Sequence, residues 1–238
     1  MRPPASAERR NRMSSVGPEA LDLGLYRHPD GGPVRLRGNG RRSRANGLYF
    51  SIKSGRHLPY ESWLELHDLW RAEVCSEVVS SWPQPFTLQF MLDGELRRYT
   101  PDRQDVLADG RVEVVEIKED LRLVRDPIYL RKLELVAALL ADRGMDFRVR
   151  ERAEIQAEPQ FSAVEAVQRH RRTLITPAEV AKAQHRLAAG PSELGALQNL
   201  FGEGVQAFAI VCALVARRVV GIDLEAGLHA QVPVWLET

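Results

Sequence analysis

Tyr99-Thr100-Pro101-Asp102-Arg103-Gln104-Asp105-Val106-Leu107-Ala108-Asp109-Gly110-Arg111-Val112-Glu113-Val114-Val115-Glu116-Ile117-Lys118 is the stretch that decides how this chain reads. From Arg111 onward a period of two puts Val112, Val114, Glu116 and Lys118 on one strand face and Glu113, Val115 and Ile117 on the other. Apolar residues on both faces mark a largely buried strand, yet one face changes from Val-Val to Glu-Lys at its end. A carboxylate buried without a partner is costly, so a metal ion or another charge must compensate Glu116. Asp102 stands at a strand junction before a hairpin and is placed to come beside Glu116. Two close carboxylates repel unless a cation lies between them, and hard oxygen donors select Mg²⁺ or Mn²⁺ over zinc. A Glu-x-Lys pair on a strand is ordinarily a solvated same-face ion pair. Here it is joined by a Pro-Asp turn, a hairpin, flanking helical patterns and an upstream basic block.

Working outward, Phe86 to Leu92 alternates with period two and ends in Asp93-Gly94, a two-residue hairpin signal. Strands over Glu95 to Thr100, Arg103 to Ala108 and Arg111 to Lys118 follow, and together they read as one antiparallel meander. Upstream, Tyr60 to Val74 is helical, with Pro59 at its start and Tyr60, Trp63, Leu64, Leu66, Leu69, Trp70 and Val74 on one apolar face. Glu61 and Glu65 lie one turn apart on this helix, Glu65 nearer the apolar margin. Downstream, Asp126-Pro127 opens a helix that runs to Arg143 and stops at Gly144. A strand at Phe147 to Val149 is expected to cross over and lie parallel in the sheet. This order predicts an α+β domain over residues 48–153, preceded by a basic arm over 1–47. Beyond 154 the pattern is helical: Ala163 to Arg172, Thr176 to Ala189 with a Thr176-x-x-Glu179 capping box, Ser192 to Phe201 and Val205 to Arg218. Two short apolar runs, Val219 to Leu224 and Ala230 to Leu236, close a winged-helix-like domain over 154–238.

The 238 residues are 44% apolar and 27% charged, the composition of a folded globular protein. Thirty-three Lys and Arg against 32 Asp and Glu leave a net charge of +1, so any electrostatic partner must be read from local charge. Arg35, Arg37, Arg41, Arg42, Arg44, Lys53 and Arg56 form a block without an acidic residue, able to follow a phosphate backbone or to stay a solvated tail. The 2 cysteines, Cys75 and Cys212, build neither a disulfide framework nor a Cys-x-x-Cys motif. The apolar run Val205 to Ala216 is too short to cross a bilayer, and Arg2 to Arg12 lacks the apolar core of a secretory signal. A cytoplasmic protein without membrane contact is expected, with Met13 as an alternative start. The histidines show no metal-ligand spacing, and no nucleotide-binding loop is present, so an energy-dependent step requires another subunit.

Pro101-Asp102 … Glu116-Ile117-Lys118 resembles the PD-(D/E)XK nuclease signature, and the element order resembles a restriction-endonuclease-like core. The run from Gly47 to Lys118, with Ser51-Ile52-Lys53-Ser54, Tyr60-Glu61-Ser62-Trp63-Leu64-Glu65, Gln84-Pro85 and Tyr99-Thr100-Pro101-Asp102, is similar to the TnsA endonuclease of heteromeric transposases. The likeness covers residues 45–150 best. Arg103 stands where that family often has Phe. The resemblance implies a Mg²⁺-dependent DNA endonuclease, with Mn²⁺ as a substitute, that cuts the non-transferred strand at the 5′ transposon ends. It implies Asp102, Glu116 and Glu65 as metal ligands and Lys118 as the residue that orients or helps deprotonate the attacking water. The implied partners are transposon-end DNA, a DDE-type transposase that supplies target sequence and an AAA+ transposition regulator. A stand-alone restriction or repair nuclease of the same fold, and a non-catalytic DNA-binding or assembly module, remain the alternatives.

Overall fold

The computed structural model describes residues 20–28, 32–34, 46–124 and 126–237. The chain is a mixed α+β protein. Its first described strand, β1 (Ala20–Tyr26), lies within the segment expected to be an arm. Leu21, Leu23 and Leu25 recur at period two, and a bulge between Asp22 and Gly24 interrupts the antiparallel register that β1 keeps with β5 (Thr87–Leu92). Residues 20–26 of the expected arm are thus a paired strand.

A hairpin of β2 (Gly47–Ser51) and β3 (Arg56–Tyr60) follows. Pro59 and Tyr60 therefore belong to a strand, and helix α1 (Trp63–Val74) begins later than Pro59 suggests. A proline is tolerated in a two-stranded ribbon, where one edge needs no donor. The helix is started instead by Ser62, whose side chain caps the Glu65 N–H. Its buried face is Leu64, Leu66, Asp68, Leu69, Ala72, Glu73 and Val74, while Trp63 is 60% exposed.

After α1, β4 (Val78–Pro83), which the sequence reading did not foresee, leads to β5 and β6 (Glu95–Tyr99). The β5–β6 turn is Asp93-Gly94, both with positive φ, as a two-residue hairpin requires. The expected single meander is not formed. At Thr100-Pro101-Asp102 the chain leaves the β1-β5-β6 sheet and enters a second sheet of order β4-β7-β8-β9. Here β7 (Arg103–Leu107) and β8 (Val112–Lys118) pair antiparallel, while β9 (Met145–Glu151) runs parallel to β8. The crossover between β8 and β9 is α2 (Pro127–Ala141), capped by Asp126 with Pro127 in its first turn. Phe86, Leu88 and Phe90 pack with Val114 of β8 and Val136, Leu139 and Leu140 of α2 in one fully buried core. That core fixes where β6, β8 and α2 meet.

The rest is mainly helical. A short α3 (Arg152–Ile155) precedes α4 (Gln160–His170) and α5 (Pro177–Ala188), the latter with the anticipated Thr176–Glu179 capping box. Then come β10 (Ser192–Glu193), α6 (Leu194–Gln198), α7 (Gly204–Ala216), β11 (Val220–Ile222) and β12 (Pro233–Leu236). The last sheet has the order β10-β12-β11. Helix α7 buries Ala207 and the whole run Ala209 to Ala216, and each fully buried Ile, Val or Leu in it contributes roughly 1.5–3 kcal/mol. Val74 of α1 belongs to this same core, with Trp70 and Ile52 packed against it. No helix among the described residues is long and apolar enough to cross a membrane.

Candidate active site

Asp102 sits where the chain passes from one sheet to the other. Pro101, with no N–H to give a ladder, ends β6, and the Asp102 carbonyl instead accepts the Gln84 N–H at 3.0 Å. The Asp102 carboxylate reaches across to β8, where Oδ2 accepts the Ile117 N–H at 2.7 Å. Glu116 is 5% exposed and held from three elements. Tyr99 of β6 donates its hydroxyl to Oε2 at 2.6 Å, Tyr129 of α2 donates to Oε1 at 2.8 Å, and Lys118 Nζ lies 2.6 Å from Oε1. The two-residue strand period puts Glu116 and Lys118 on one face, and the β8 backbone carries Asp102 beside them.

This neighbourhood holds more negative charge than it neutralises. Burial, then the field of Glu116, pushes the Asp102 carboxyl up to about 8, with Glu65 adding to the effect and the Ile117 N–H and Lys118 opposing it. Burial works against the Lys118 ammonium, but its contacts with Glu116 and Tyr129 outweigh that and hold it well above the ordinary lysine range. Lys118 is therefore an ammonium at neutral pH, equipped to donate and to offset negative charge. Its nitrogen also stands 5.2 Å from the centre of the Tyr129 ring. Burial and Glu116 raise the Tyr129 phenol to about 12.

Glu65 approaches from the first turn of α1. Its Oε1 accepts the Ser62 hydroxyl at 3.0 Å and its Oε2 the Glu61 N–H at 2.7 Å, while its own N–H is capped by Ser62. The Ser62-x-x-Glu65 spacing thus has a capping role of its own. Glu61 accepts the Gln84 amide at 3.1 Å. Among the described residues no three His, Cys, Asp or Glu side chains gather as a metal cage, so the donor set here is the pair Asp102 and Glu116 with Glu65 at its margin. That set fits a hard divalent cation. Mg²⁺ commonly takes one or two carboxylates and keeps several waters, and Asp102 and Glu116 supply two carboxylates.

Of the basic block, Arg35, Arg37, Arg41, Arg42 and Arg44 lie outside the described residues. Lys53 and Arg56 are built into the fold through bonds of their own. Lys53 Nζ donates to the Ala72 and Cys75 carbonyls at 2.9 and 2.6 Å, closing the end of α1, and burial lowers its pKa to about 8. Its loop is gathered by buried Glu73, which accepts from the Ser51 hydroxyl and from the Ile52 and Lys53 N–H groups. Arg56 stacks on Trp82 and donates to the Ser81 carbonyl.

Sequence reasoning missed Tyr99 and Tyr129 as the residues that orient Glu116, and Gln84 as the link between Asp102 and Glu61. It also missed the anchor beneath the turn. Arg103 is 2% exposed, with Nη1 2.5 Å from Asp68 Oδ2 and Nε 2.8 Å from Asp105 Oδ1. Arg150 joins from β9 through Glu113 at 2.7 Å. The position after Asp102 is thus fixed by a buried ion network, where an apolar side chain would use packing. No family model matches the chain, and no curated protein matches it.

Proposed function

We propose that this chain is a divalent-metal-dependent DNA endonuclease of the PD-(D/E)XK kind, the TnsA-like subunit of a transposase. It would cut the non-transferred strand at the 5′ transposon ends. The observation that carries this reading is the convergence of Asp102, Glu116 and Lys118 at one junction, with Asp102 short of compensating charge. The helix, the β4-β7-β8-β9 sheet with its parallel last pair and the α2 crossover resemble a restriction-endonuclease-like core. The series α5-β10-α6-α7-β11-β12 with strand order β10-β12-β11 resembles a winged helix. Its α7 buries Ala207 and Ala209 to Ala216 and exposes its first turn, Gly204 to Gln206, so little of the helix is open to a DNA groove, which favours a partner as the source of sequence specificity.

Asp102 and Glu116 would hold Mg²⁺ or Mn²⁺, which supplies an acidified water and neutralises charge on the phosphate. The remaining roles follow from this chain's own bonds. Tyr99 and Tyr129 lock the Glu116 carboxylate, the Ile117 N–H aims Asp102, and the Lys118 ammonium donates to a phosphate oxygen as negative charge builds on it. In-line attack of water on phosphorus, its proton lost to solvent, would break the bond to the 3′ oxygen, which takes up a proton, and leave 5′-phosphate and 3′-hydroxyl ends. Lys118→Ala is expected to slow cleavage by about a hundredfold or more, while metal affinity, measured by calorimetry, changes far less. Equal loss of both would mean that Lys118 serves only to build the site.

The test of the whole reading is reconstitution. The purified chain should cut DNA weakly, and cutting at transposon ends should appear when its cognate transposase is added. An Asp102→Ala subunit should still permit 3′-end joining and so yield cointegrates. Strong sequence-specific cleavage by the isolated chain would make it a stand-alone nuclease. Absence of cleavage with the partner and with either metal would make it an assembly module.

A further inference from the structure

A second feature adjoins the carboxylate pair. Between the exposed edge strand β6 and the first turns of α2 lies an open cleft of about 520 Å³, lined by Leu96, Arg97, Arg98, Ile128, Tyr129 and Lys132, with Asp126 at its end. It shares Tyr129 with the site already described: the residue lines the cleft and its hydroxyl donates to Glu116. Lys132 strengthens this link. Its ammonium stands 4.6 Å from the centre of the Tyr129 ring and 5.7 Å from that of Tyr99, the two phenols bonded to Glu116.

Resting on the nuclease reading above, we infer that this cleft holds the DNA strand flanking the scissile phosphate, with Arg97, Arg98 and Lys132 on its backbone phosphates. Arg97, Arg98 and Lys132 line the cleft with Asp126, and Glu95 pairs with Arg97 beside it. Asp126 is engaged in capping the Ile128 N–H at 2.9 Å, and the Arg97–Glu95 pair at 2.6 Å is partly exposed and easily exchanged for phosphate. The occupant must be more than a bare anion, because Leu96 and Ile128, 53% and 47% exposed, line the same walls. Alternating phosphate and sugar or base surface matches a lining of cations and apolar side chains, whereas a free phosphate leaves the apolar part unused.

Binding of a duplex oligonucleotide, read by fluorescence anisotropy, tests this in an Asp102→Asn background that cannot cut. Adding Arg98→Ala and Lys132→Ala should weaken binding about tenfold and make the slope of log affinity against log salt less negative by about 1 to 2, since each lost phosphate contact releases about one counterion fewer. The pair Arg98→Lys and Lys132→Arg, which keeps both charges, should restore the slope and separates a charge effect from misfolding. If the parent binds DNA and both quantities stay unchanged in the alanine pair, the cleft is not on the strand's path, and the nuclease reading survives. A parent that binds no DNA at low salt overturns both. Competition by inorganic phosphate equal to that by an oligonucleotide of matched phosphate concentration would make the cleft a simple anion site and contradict the inference.

Discussion

Asp102→Asn is expected to abolish Mg²⁺-dependent strand cleavage, by about three orders of magnitude or more, and at the same time to stabilise the metal-free protein at alkaline pH. The sign follows from where Asp102 holds its proton. Its ordinary carboxyl value of 3.8 becomes about 8 in the fold. Between those values the native chain binds more protons than the unfolded one, so stability falls as pH rises from about 4 to about 8. Above that window the full penalty of an ionised Asp102 is present. Asparagine cannot ionise and still accepts the Ile117 N–H through its amide oxygen. The two proteins should therefore melt alike near pH 4. At pH 9 the variant should be the more stable, by an amount on the order of a few kcal/mol. Mg²⁺ should raise the melting temperature of the wild type at pH 8 and leave the variant unmoved. Cleavage by the variant at the wild-type rate would remove Asp102 from the site.

The second large effect is structural. Arg103→Met should destabilise the chain by about 3–5 kcal/mol, because removing one member of a buried ion network strands the others. Asp68 and Asp105 are both fully buried, and Arg103 touches each. Asp105 also accepts the Ser81 hydroxyl at 2.6 Å, tying β7 to β4. Replacing all three charges, with Asp68→Asn and Asp105→Asn beside Arg103→Met, should recover much of the loss, since no uncompensated charge then remains. Urea denaturation of the single and triple variants checks this. A single variant within about 1 kcal/mol of the wild type would mean that the network does not hold the turn on which Asp102 stands.

What was legible in the sequence was local. Alternation in Thr87 to Leu92 identifies β5 because one strand face stays apolar along its length, and apolar residues on both faces of Val112 to Lys118 identify β8 as a largely buried strand. Asp126-Pro127 and Thr176-x-x-Glu179 mark helix starts through bonds to N–H groups two and three positions on. The proximity of Asp102 to the end of β8 was also legible, since a short hairpin must return the chain to its neighbour. What failed depends on distant partners. Pro101 divides one apparent meander between two sheets because β4 takes the place beside β7 that β6 was expected to fill. The bulge at Asp22 and Gly24 blurs the short alternation of β1, which gains its meaning only against β5. Lys53 looked like a surface cation, and nothing within its own segment announces that Glu73, on another element, turns the loop inward. Tyr99 and Tyr129 are 30 positions apart and meet only on Glu116.

The central claim is that Asp102 and Glu116 share a divalent cation, and calorimetric titration of Mn²⁺ in buffers of different ionisation enthalpy tests it most directly. A cation can enter only as Asp102 gives up the proton it keeps below about pH 8. The account predicts that binding at pH 6.5 releases close to one proton, that release fades above pH 9, and that Asp102→Asn neither binds Mn²⁺ tightly nor releases a proton. Mn²⁺ binding of equal strength in the wild type and in Asp102→Asn, with no proton released from either, would contradict it.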